Sequence, residues 1–230
     1  MRSVLAVAVL AAVGSAAVGE ELKDITLPTR YGISPSGDLY PQGTPKEALA
    51  TAAKLVEKGR YAYLLAHVVD PAFVDAQVAA RARAVTPTVE KRLTGVREGQ
   101  KRNLRADTPP EDVMPADPVA FADKVRAEAE KLAFADLVKA MQENLAEFPE
   151  HVQQLVVVNR DGAIAESGPA ATAEAKGLPN KKVFLKQLPV SALKESRVLV
   201  DGKPTTRQDP TTVQRWFVED RQQEVKAKDK

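Results

Sequence analysis

Tyr63, His67 and Asp70 follow one another at spacings of four and three, which lines a phenol, an imidazole and a carboxylate along one helix face, with Tyr61 just ahead of them. Such a set could move protons, because an imidazole titrates near neutral pH and a neighbouring acid or phenol can relay what it takes up. The same spacing also suits a helix whose aromatic tips hydrogen-bond at the edge of a core, and both readings stay open here. Glu143, Glu147 and His151 stand four apart and would form a metal-ligating row on an unbroken helix. Pro149 removes a backbone donor and disfavours helix at Phe148, so the row is expected to break, and no metal site is assigned. The chain lacks a Gly-x-Ser-x-Gly elbow, a phosphate-cradling glycine loop and a His-Glu-x-x-His motif. It also has no cysteine. Thiolate chemistry and disulfides are therefore excluded, and no cofactor follows from the motifs.

Two further groups could bind rather than react. Arg81, Arg83, Lys91, Arg92, Arg97, Lys101, Arg102 and Arg105 face only Glu90 and Glu98 within their stretch, so Arg92, Arg97 and Arg102 could grip an anionic polymer. The acids that follow, from Asp107 to Glu130, could equally neutralise that stretch within the molecule. Interleaved aromatics are missing, so nucleic acid finds no stacking platform and is not an expected partner. Trp216 and Phe217 lie in a run with strand character and should point to opposite faces, one into the core and the other, with Tyr61, toward a ligand or partner.

These residues need elements to hold them. Thr44-Pro45-Lys46-Glu47 combines a capping hydroxyl, a proline at the first helical position and a glutamate at the third, which is a helix start, and Lys58-Gly59 is a helix stop. Asp70-Pro71, Thr86-Pro87 and Asp117-Pro118 repeat the cap-then-proline signal, so four or five helices are expected before residue 150. The longest runs over 118–147, with Phe121, Val125, Leu132, Leu137, Met141, Leu145 and Phe148 as its stripe. From Val152 the β-branched run to Val158 predicts a strand, with His151 a turn residue at its start and 159–162 turning into a return strand over 163–166. Further strands are expected over 182–187, over 197–200 and 203–206 around Asp201-Gly202, and over 213–219. Helices followed by an antiparallel meander define an α+β fold.

The first residues carry an address. Arg2, the apolar run Val4–Val18 and the small exit Ala17-Val18-Gly19 predict a signal peptide over 1–19, too short to span a membrane, with cleavage near Gly19 and export to the periplasm or beyond. Residues 20–43, punctuated by Pro and Gly, read as an extended lead-in. Residues 44–224 read as one domain with a helical insertion at about 71–117, and 225–230 as a flexible tail. Net charge is +2 including Arg2, so no whole-molecule field selects a membrane surface or nucleic acid.

Three stretches resemble the nuclear transport factor two-like family, also called cystatin-like or SnoaL-like. Thr44-Pro-Lys-Glu-Ala-Leu with Leu55-Val-Glu-Lys-Gly-Arg-Tyr and Tyr63-Leu-Leu resembles its opening helix pair. Asn180-Lys-Lys-Val-Phe-Leu-Lys-Gln resembles an inner strand, and Val213-Gln-Arg-Trp-Phe-Val-Glu the closing strand. The resemblance implies a cone of curved sheet wrapped on N-terminal helices, able to hold a ligand or to catalyse. It departs from the family in the long helical region 70–148 and in residues 188–212, which suggest an extra ribbon. The expectation is an exported, non-catalytic binding or interaction domain, as a monomer or homodimer, for a small apolar ligand or an envelope protein. The alternatives are a cone-type lyase or isomerase using Tyr63, His67 and Asp70, and a polymer binder using Arg81 to Arg105.

Overall fold

The computed structural model describes residues 25–103, 113–175, 182–200 and 203–219. The leader with its exit at Gly19, the Asp201-Gly202 turn, the tail and most of the proline-rich 107–115 connector lie outside the described residues. Five helices precede most of an antiparallel five-stranded sheet, so the fold is α+β. Helix α1 is Pro45–Glu57, α2 Tyr61–His67, α3 Pro71–Asn103, α4 Pro118–Glu147 and α5 Pro149–Asp161; strand β1 is Ile25–Thr26, β2 Gly162–Ser167, β3 Ala170–Ala175, β4 Lys182–Val200 and β5 Lys203–Glu219.

Local chemistry sets most boundaries. Thr44 Oγ1 accepts from Glu47 N while the Glu47 carboxylate accepts from Thr44 N, closing the reciprocal cap of α1. Gly59 at φ 63° ends that helix in the left-handed region where a side chain would be strained. Asp70 Oδ1 accepts from Ala72 N and Asp117 Oδ2 from Ala120 N, so both capped prolines open helices as expected. Thr86-Pro87 does not. Helix α3 runs straight through Pro87; Thr86 Oγ1 donates to Ala82 O one turn back, and Arg83 and Pro87 are both exposed, so the carbonyl that Pro87 leaves without a donor faces water.

Two other expectations are corrected. Val152–Val158 is not a strand but the body of α5, and His151 lies exposed in its first turn. Pro149 starts that helix, and Val152, Leu155 and Val158 make a three-residue stripe onto the two core clusters, which outweighs β-branched propensity. The hairpin is therefore β2 with β3, paired from Gly162↔Ala175 to Ser167↔Ala170. Gly162 is required where α5 passes into β2, because a Cβ there would strike the Val158 carbonyl.

Residues 25–43 are also more than a lead-in. Tyr40 and Gln42 are buried, Tyr31 stacks on Phe134 at 4.4 Å, and Arg30 Nη1 donates to Ala66 O at 2.8 Å while Arg30 and Tyr31 both reach Asp75. Proline and glycine gave these residues no period, yet they supply the strap that closes the body. Nor is the helical elaboration an appendage ending near 117: α3 and α4 pair antiparallel, and Val74, Val78, Val89 and Leu93 pack with Phe121, Val125, Phe134 and Leu137 in a cluster continuous with Leu55, Leu64 and Leu65. Leu132 and Phe148, counted in the expected α4 stripe, are exposed.

The sheet runs β2, β3, β4, β5, with β1 continuing beyond β3 along the same edge of β4. Strands β4 and β5 pair without interruption from Phe184↔Glu219 to Val200↔Lys203, so 188–200 and 203–212 are the two sides of the extra ribbon. Trp216 N and Val218 N donate outward, to Gln42 O and Val68 O, which fixes the even positions of β5 as facing away from β4. Pro204 and Pro210 fall on that outward register, where a missing N–H costs the ladder nothing and blunts the free edge.

Candidate functional site

Paired residues share a face, so the face of β4 and β5 carrying Lys186 and Leu188 also carries Phe217 and Arg215. The segment Val68–Asp70 lies along the outer edge of β5, bridged at Val69↔Val218, and brings α2 beside this face. The Tyr63 ring stacks tilted between Tyr40 at 4.5 Å and His67 at 5.0 Å.

Each expected proton-transfer group is already bonded within the chain. His67 is buried, and its Nε2 lies 2.8 Å from Ile33 O. A carbonyl can only accept, so Nε2 carries the proton and the neutral ring keeps its Nδ1 lone pair. Burial, then the nearby Arg215 and Arg30 charges, holds the imidazole below its ordinary value of 6.5, against the Ile33 hydrogen bond. Tyr63 Oη accepts from Ser36 N at 2.9 Å and donates weakly to Ser36 O at 3.4 Å; burial pushes its phenol up. Asp70 is spent on the α3 cap and on Lys186 Nζ, 2.5 Å away, with side chains 10 % and 27 % exposed. The structure thus brings Tyr63 and His67 together and commits Asp70 to a separate ion pair.

The expected binding residues disperse. Tyr61 packs half-buried at the start of α2. Trp216 is buried among Leu49, Val158 and Leu185, and Phe217 is buried on the opposite face, so the alternation holds but both rings pack rather than project. Arg92 meets Glu128 at 3.4 Å, Arg81 meets Asp136 at 3.4 Å, and Arg97 lies 4.0 Å over the Phe121 ring. Arg102 is exposed. The basic stretch is thus partly neutralised by α4, as its acids allowed. Helix α4 ends at Glu147 and α5 begins at Pro149, breaking the Glu143–Glu147–His151 row. Among the described residues no group of three or more His, Asp or Glu is gathered to hold a metal, and no helix is long and apolar enough to cross a membrane.

Two hollows stand out among the described residues. One of about 120 Å³ is bounded by Val56, Leu64, Met141, Leu145, His151, Leu155 and Val218. The other, about 610 Å³, lies between Thr26–Thr29 and the ribbon at Ser191–Leu193 and Pro210–Thr212. Tyr63, His67 and Asp70 line neither.

Sequence reasoning missed Arg215. It is 7 % exposed on the Phe217 face, and no ion pair or hydrogen bond reaches its guanidinium among the described residues. Desolvation lowers its pKa, and the one opposing influence is the Tyr63 phenol, itself neutral. The signal was in the alternation: Val213, Arg215 and Phe217 occupy one face, and a charge stands where that face calls for an apolar residue. Gln42, buried nearby, donates Nε2 to His67 O at 2.9 Å and leaves Oε1 without a donor. Compared with known proteins, the chain matches no family model, no curated protein and no solved structure.

Proposed function

We propose that the protein is an exported, non-catalytic binding domain of the cone-shaped nuclear transport factor two-like kind, acting in the periplasm or cell envelope. The observation that carries this reading is the commitment of Tyr63, His67 and Asp70 to Ser36, Ile33, Ala72 and Lys186, which engages the expected acid–base set within the chain and away from both hollows described above. The leader-like first nineteen residues support export, and the order of helices before an antiparallel sheet supports the family reading. Native mass spectrometry of protein purified gently from an exported preparation tests it, alongside a screen of lyase and isomerase substrates. A reproducible bound mass without turnover is the expected result. Turnover that disappears in folded His67→Gln protein would overturn the reading in favour of catalysis.

A further inference from the structure

A buried cation normally has a carboxylate beside it, because the charge loses its water and must recover that interaction from the protein. Lys186, with its side chain 27 % exposed, pairs with Asp70, whereas Arg215, more deeply buried, has no carboxylate partner among the described residues: its face neighbours are Leu188 across the strand pair and Val213 and Phe217 along β5. Tyr63 and His67, which feel its charge, are both neutral near pH 7, and no ion pair cancels the guanidinium among the described residues. A buried acceptor without a donor, Gln42 Oε1, stands in the same neighbourhood.

We infer that Arg215 anchors a site for a small organic acid, whose carboxylate takes both arms of the guanidinium while its apolar remainder lies against Leu188 and the Tyr63 ring. The guanidinium fork matches a carboxylate with two parallel hydrogen bonds, an arrangement lysine cannot reproduce. Tyr63 can turn its hydroxyl proton from the long contact with Ser36 O to a carboxylate oxygen while still accepting from Ser36 N. A carboxylate fits better than a phosphate dianion, because one cation balances one negative charge and the nearest lysine is already paired.

This inference deepens the binding reading and rests on it. The test is calorimetric titration of the full chain with benzoate, acetate and inorganic phosphate at matched ionic strength, repeated in Arg215→Met, Arg215→Lys and Tyr63→Phe. Saturable binding of one benzoate per chain is expected, at least tenfold weaker in R215M, intermediate in R215K and several-fold weaker in Y63F, with phosphate no better than chloride. Absent benzoate binding, equal binding by R215M, or phosphate preferred over benzoate would each overturn it. R215M is expected to fold, since it removes a charge that has no partner; collapse of that variant would count against the inference as well. A bound mass held equally by wild type and R215M would remove the anchor and leave the binding reading standing. Turnover of a carboxylate substrate would keep the anchor and end the non-catalytic reading.

Discussion

Lys186 and Arg215 sit on the same face of the same strand pair, with the Gln187↔Trp216 pair between them, and their surroundings differ in one decisive respect. Lys186 meets a carboxylate that also caps α3, so its charge ties the sheet to the helical hairpin. Arg215 shares its face with Leu188, Val213 and Phe217 and makes no ion pair or hydrogen bond among the described residues, so its charge ties nothing there. Buried pairs and buried lone charges respond oppositely to neutral substitution: breaking a pair strands the remaining partner, while deleting a lone charge removes only a penalty. One cation is thus structural, and the other is held ready for something outside the chain.

The comparison can be broken most easily at Lys186. Lys186→Met should strand Asp70, which is only 10 % exposed at its side chain, and cost about 3 kcal/mol in urea unfolding. Asp70→Asn should cost less, about 1–2 kcal/mol, because asparagine still caps α3 and the partly exposed lysine can reach water. A loss equal to that of K186M would show that Lys186 without its carboxylate is as costly to strand as Asp70 without its lysine.

His67 sharpens the contrast through pH. Its imidazole is held below 6.5 in the folded chain, so the unfolded chain binds the proton first as pH falls. Stability contributed by the neutral ring should be complete above that value and decline below it, by at most about 1.4 kcal/mol per pH unit for this one group. Denaturation midpoints between pH 7 and 5 should show the decline in wild type and a shallower one in His67→Gln, whose amide can still donate to Ile33 O.

What was legible in the sequence was mostly local. Thr44, Asp70 and Asp117 announce their helices because a cap is made by residues three apart, and Phe148-Pro149 announces a break for the same reason. Pro87 misled because a proline is tolerated inside a helix when the carbonyl it orphans faces water, which local sequence does not state. Val152 to Val158 reads locally as a strand because it is β-branched, whereas the stripe of Val152, Leu155 and Val158 that makes it a helix gains its burial only from α1 and the sheet. Strap residues Tyr31 and Tyr40 carry no period, so their burial is a tertiary fact. Helical spacing puts Tyr63 and His67 on one face, and their rings lie 5.0 Å apart. Arg215 was visible only as a charge at an inward position of an alternating strand, and its lack of a counter-ion required the fold.

The smallest expected change belongs to Arg215, and it is the most direct test of the account. In urea unfolding without added ligand, R215M should show a midpoint equal to or above that of wild type, because the substitution removes a largely buried charge that has no ion pair among the described residues. A drop as large as that of K186M would mean that Arg215 holds the fold together, contradicting the claim that it waits for an anion.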